Sequence, residues 1–202
     1  MYKIHERCIG FATRLLKSLP EGYHYHDIKH TMEVFRASMS YGRSEGLKQK
    51  DLILLGIAAL FHDTGYISLY EKNEPVGADI ARKYLLREGF GKRDITKVSS
   101  LIMATEMPQM PKNLMQKIIC DSDLDSLGRK DFFKRGNLLK KELEEVKSIR
   151  YTKQEWYTIQ RNLVMKHRYF TKSAQMQRAR QQRRNLEMLE FFLSRTRAER
   201  TL

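Results

Sequence analysis

The sequence predicts an all-α fold, a single-domain helical bundle of about eight or nine helices spanning residues 1–202, from three observations. Apolar residues recur at helical spacing along most of the chain, as in Ile4, Cys8, Phe11 and Leu15, or Ile28, Met32, Phe35 and Met39. No stretch alternates apolar and polar residues over the length of a strand. The breakers fall between the periodic segments: Pro20-Glu21-Gly22, Gly89 with Gly91, MPQMP at 107–111, and Gly128. At 202 residues, 41% of them hydrophobic, the chain is long enough to bury one core.

The first helix runs over 2–18. The second starts at about Asp27, after YHYH at 23–26. The third, residues 49–63, is the most informative: Leu52 to Phe61 is apolar at almost every position, the mark of a helix buried on most sides. It ends on His62 and Asp63, and Thr64 to Pro75 follows as a loop rich in Gly, Tyr, Asn and Pro. Amphipathic helices are expected over 76–88 and 93–105, then over 112–127 with Leu114, Ile118, Ile119, Leu124 and Leu127. Residues 131–149 carry close Lys/Glu pairs on a wet face. Two further helices cover 153–168 and about 173–197.

Lys and Arg number 38 against 24 acidic residues, a formal charge of +14 that favours anionic partners. Cys8 and Cys120 sit in apolar helical contexts with no CxxC spacing, as reduced core residues of a cytoplasmic protein do. No apolar run approaches the ~20 residues of a membrane-spanning helix. The start lacks the apolar core of a signal peptide.

A histidine and a carboxylate at the end of the most buried helix are costly to desolvate without a partner, and a metal ion is the simplest one. His26 and His30 lie one helical turn apart. Adjacent helical residues point about 100° apart, so His62 and Asp63 reach one ion only at a helix edge. Asp121, in CDSDLDSLG, is flanked by Ile118, Ile119, Cys120 and Leu124. Two His and two Asp from three helices make a mixed nitrogen–oxygen site suited to Mn, Mg, Fe, Ni or Zn, unlike a structural thiolate site.

The set Tyr25-His26-x-x-x-His30, Leu60-Phe61-His62-Asp63-x-Gly65 and Asp121-x-Asp123-Leu124-Asp125-x-Leu127-Gly128 resembles the HD-domain metal-dependent phosphohydrolase superfamily, over about residues 23–175. The resemblance implies an all-helical bundle with the site between helices, and His30, His62, Asp63 and Asp121 as metal ligands. It implies that His26 protonates a leaving oxygen, as in related cyclic-nucleotide phosphodiesterases. Glu74 stands where similar proteins carry a site glutamate and, like Asp63, is a candidate to position the attacking water; Asp123 is a candidate for that role or as an orienter of the ligands. The segment KHRYFTKSA also resembles members of this superfamily, and its His167, Arg168 and Lys172 are candidates to hold a substrate phosphate or to close the pocket. Several departures matter. Asp27 replaces the usual Asn, and Tyr66 stands where many members have Lys. No histidine lies between His62 and Asp121, where binuclear members have more, so one metal ion per site is expected. The segment TGYISLY lacks the Glu-Asp pair of the guanosine tetraphosphate hydrolases.

The expected activity is hydrolysis of a phosphate ester, monoester or diester, of a small nucleotide-type substrate. The alternative is a non-enzymatic module: a metal- and nucleotide-binding sensor, or a nucleic-acid binder using the basic tail at about 173–202. That tail holds QRARQQRR, and its Leu186, Leu189, Phe192 and Leu193 point to a docked or self-associating helix, which would allow a homo-oligomer. The run QRARQQRR lacks the interleaved aromatics of a single-strand platform.

Overall fold

The computed structural model describes residues 2–198, with the side chains of 196–198 and the end of the basic tail at 199–202 outside the described residues. Within them the chain forms α1 (Lys3–Leu16), α2 (Ile28–Ser44), α3 (Gln49–Phe61), α4 (Asn73–Arg87), α5 (Lys92–Met103), α6 (Leu114–Asp123), α7 (Phe132–Val146), α8 (Lys153–Lys166) and α9 (Lys172–Ala198). Two 3-10 turns, Thr64–Ile67 and Asp125–Gly128, follow α3 and α6. No strand occurs among the described residues, as the periodicity predicts. The expected loop at 64–75 is shorter, because its first residues form a 3-10 turn and α4 begins at Asn73.

The helices cluster into two units. The first combines the residues up to Glu21 with His26–Leu124; the second combines Gly22–Tyr25 with the residues from Asp125 on. The division falls inside the stretch read from sequence as one motif-bearing core.

The first unit is built around α3. Leu54, Leu55, Ile57, Leu60 and Phe61 are all buried, and each such side chain contributes about 1.5–3 kcal/mol by leaving water. His5 is fully buried: its Nε2 lies 2.9 Å from the Ile53 carbonyl, and its ring fills the space beside Gly56, where a Cβ would collide with it. Because α2 packs on both α3 and α6, it carries its N-terminal turn to where those two helices end. Asp27 caps that turn, accepting a 2.8 Å hydrogen bond from the His30 N–H, a cap that contributes about 1 kcal/mol.

The second unit contains α7, α8 and α9. Thr152 and Glu155 form a reciprocal capping box at the start of α8. Arg135 is fully buried, its guanidinium 4.5 Å above the Tyr25 ring and donating to the Tyr25 carbonyl at 3.1 Å. The Tyr25 N–H donates to the buried Glu142 carboxylate at 2.8 Å.

Candidate metal centre

The apolar run of α3 stops at Phe61, and the next two residues make the site. His62 keeps helical backbone angles, while Asp63 (φ −100°, ψ 2°) turns the chain out of the helix. That bend lets adjacent side chains converge, meeting the requirement for a helix edge. Thr64 holds the turn through a 2.7 Å hydrogen bond from its hydroxyl to the Phe61 carbonyl. A Cβ on Gly65 would coincide with the Asn73 carbonyl, so only glycine lets this turn press against the start of α4. The same contact brings Glu74, in the first turn of α4, toward the centre.

His30 from α2 and His62 from the end of α3 present their Nε2 atoms to two carboxylates. Asp63 Oδ2 lies 3.3 Å from His30 Nε2 and 3.1 Å from His62 Nε2. Asp123 Oδ1, from the last turn of α6, lies 3.3 Å and 3.4 Å from the same nitrogens. His30, His62 and Asp123 form the one group of metal-competent side chains gathered among the described residues. Asp63 and Asp123 are thus the two carboxylates set against both imidazoles. Asp121 is buried two residues earlier on α6, about 200° around the helix axis.

The hydrogen bonding around His62 fixes what this cluster can hold. Its Nδ1 lies 2.8 Å from the Ala59 carbonyl, which can only accept, so Nδ1 carries the proton. Nε2 then faces Asp63 with a lone pair or a second proton. Both His62 Nε2 and Asp63 Oδ2 are buried without a hydrogen-bond partner, although only 3.1 Å apart. Atoms of this kind at that separation are held together by a cation, either a proton on Nε2 or a metal ion that displaces it. Burial disfavours charge on His62, yet Asp63 and Asp123 outweigh it and raise its proton affinity well above the usual imidazole range. Burial likewise opposes ionisation of Asp63 and Asp123, but the neighbouring histidines hold both below the usual carboxylate range. The pocket is thus built to keep a positive charge, and two imidazole nitrogens with two carboxylates fit a divalent ion.

Asp123 Oδ2 accepts a 3.0 Å hydrogen bond from Gln109 Nε2 in the 107–111 loop, which fixes the other oxygen toward the histidines. The sequence reading missed this residue; its only signal was a polar side chain between two prolines. Glu74 has one oxygen, Oε2, buried and without a hydrogen bond. Burial raises its pKa above the ordinary glutamate value, with Glu106, Asp63 and Asp123 adding to the rise. His26 stacks on Tyr66, ring centroids 4.2 Å apart, with its Nε2 3.2 Å from the Tyr66 hydroxyl; Tyr70 meets it edge-on at 6.2 Å. His26 also meets the His30 ring edge-on at 5.9 Å.

The structure gathers His26, His30, His62, Asp63 and Asp123 in the first unit, with Glu74 close enough to feel both carboxylates. His167, Arg168 and Lys172 belong to the second unit. His167 caps α8 and sits edge-on to Tyr169 at 4.7 Å. Arg168 Nη1 donates to the Met165 and His167 carbonyls at 2.9 and 3.0 Å. Lys172 opens α9 and is exposed.

A helical unit whose histidines and aspartates converge in this order defines a class. The HD-domain family model matches residues 27–127, half of the chain, and the chain belongs to that family. Solved structures agree on the fold. A protein from Lactobacillus plantarum aligns with a TM-score of 0.67 at 15% identity, covering 99% of this chain and 98% of its own. Bacillus subtilis YpgQ, solved in complex with ADP, aligns at 0.64 and 16%, covering 96% and 97%. A predicted HD superfamily hydrolase from an uncultured Thermotogales bacterium aligns at 0.59 and 19%, covering 96% and 91%. No curated protein matches the chain. Among the described residues no helix is long and apolar enough to cross a membrane.

Proposed function

We propose that this chain is a metal-dependent phosphohydrolase that cleaves a phosphate ester of a small nucleotide-type substrate. One observation carries the reading: His62 Nε2 and Asp63 Oδ2 face each other at 3.1 Å, buried, with no hydrogen bond between them. His30, His62, Asp63 and Asp123 would hold one divalent ion, Mn, Mg, Fe, Ni or Zn. Such an ion, when bound, lowers the pKa of a coordinated water and polarises a phosphoryl oxygen.

The chain's own residues supply the proton transfers. Glu74, with its raised proton affinity, orients the attacking water and accepts its proton. His26, held between Tyr66 and His30, delivers a proton to the leaving oxygen, a need greatest for an alkoxide and so favouring a diester. The ADP complex of YpgQ, a chain of the same fold, supports a nucleotide-type ligand.

The test is elemental analysis of the purified protein, followed by product release from a panel of nucleotide mono- and diesters with and without chelator. Stoichiometric metal and chelator-sensitive turnover are expected. Full turnover by a His62→Ala protein would refute the assignment.

A further inference from the structure

Apart from the metal centre, the second unit carries a groove of about 510 Å³ between the 3-10 turn after α6 and the first half of α9. Its cationic lining consists of Arg129, Lys130, Arg178, Arg180 and Arg184, with Asp131 the one acid. The floor is fixed. Arg178 makes a bidentate pair with the buried Asp125, at 2.6 and 3.0 Å, and Arg129 is paired with Asp131. Asn185 Nδ2 donates to the Leu127 and Arg129 carbonyls, both at 2.9 Å, and Gly128 packs against the Arg178 backbone too closely for any side chain.

The rim differs from the floor. Lys130, Arg180 and Arg184 are exposed and make no ion pair among the described residues. Gln177, Arg180, Gln181 and Arg184 fall at i, i+3, i+4 and i+7 on α9, so one helix face presents two guanidinium groups flanked by two amides. No aromatic residue lines the groove, so it offers no base-stacking platform. A preorganised floor under unpaired guanidinium and ammonium groups, with amide donors between, matches a row of phosphates whose bases stay stacked.

We infer that this groove binds the sugar–phosphate backbone of a nucleic-acid duplex, without sequence preference, at a site separate in the chain from the metal ligands. Three unpaired cations give a slope of log K against log salt of about −2.7, a loss of roughly 40-fold between 50 and 200 mM salt. The test is fluorescence anisotropy of the full chain with a labelled duplex of about 20 base pairs across that salt range. Arg180→Gln and Arg184→Gln are each expected to reduce the slope by about one, and the triple Lys130→Gln/Arg180→Gln/Arg184→Gln protein to lose binding with an unchanged melting curve. All three positions are exposed, so the fold does not depend on them. Undiminished binding by the triple variant, absence of binding at 50 mM salt, or retention only on vesicles of anionic lipid would each overturn the inference.

Discussion

Up to Leu124 the chain carries 18 Lys and Arg residues against 15 acidic ones; from Asp125 on it carries 20 against 9. The nearly balanced part buries its chemistry, while the strongly basic part displays it. The treatment of buried charge differs too. In the second unit Asp125 takes a bidentate arginine and Glu142 takes a backbone N–H, so each carboxylate is answered by a donor. In the first, Asp63 Oδ2, His62 Nε2 and Glu74 Oε2 are buried without one. A buried carboxylate with a matching donor holds a fold together; one without marks a place where something else must bind.

The largest expected effect that breaks this contrast is at the ligands. His62→Ala should remove bound metal and cut turnover by more than the roughly 10–100-fold typical of losing an outer hydrogen-bond partner, measured by elemental analysis and steady-state rates. The metal-free protein holds a proton on His62 to well above the ordinary imidazole range, so metal binding must expel it. Affinity should therefore rise with pH through the neutral range, followed by competition with a chelating dye.

Glu74→Gln should lower turnover by about 10²–10⁴-fold if this residue takes the proton of water. It should also raise the melting temperature of the chelated protein at pH 7. The sign follows from burial: folding raises the Glu74 pKa, so its ionised form is penalised above the ordinary glutamate value and not below it. The gain should vanish by pH 4, checked by thermal scans at both pH values.

Gln109→Ala frees Asp123 to rotate and should weaken metal binding by roughly 10–100-fold with little change in stability. Glu142→Ala sharpens the comparison from the other side. It leaves the buried Tyr25 N–H without its acceptor and should destabilise the chain by about 1–3 kcal/mol, read from chemical denaturation, with no change in the metal-binding groups themselves.

The helices were legible because each buries one stripe and ends at a breaker. The His62-Asp63 pair was legible because an uncharged run stopped on it. The choice between Asp121 and Asp123 was not. Met115, Gln116, Ile118, Ile119, Cys120, Asp121 and Ser122 are all buried and Asp123 is partly so, so apolar periodicity along α6 does not rank one aspartate above the other. Gln109 was hidden because it reaches the centre from a loop, where no periodicity applies. The division into two compact units has no sign in the sequence, because it falls within CDSDLDSLG, with no linker composition to announce it.

The contact between Gly65 and the Asn73 carbonyl fastens both ends of the intervening segment to the framework. Residues 66–72, which carry Tyr66 and Tyr70, are therefore a strap anchored at two rivets. With both rivets fixed, Tyr66 and Tyr70 are kept beside the His26 ring, so slack at either end would be felt first by that imidazole.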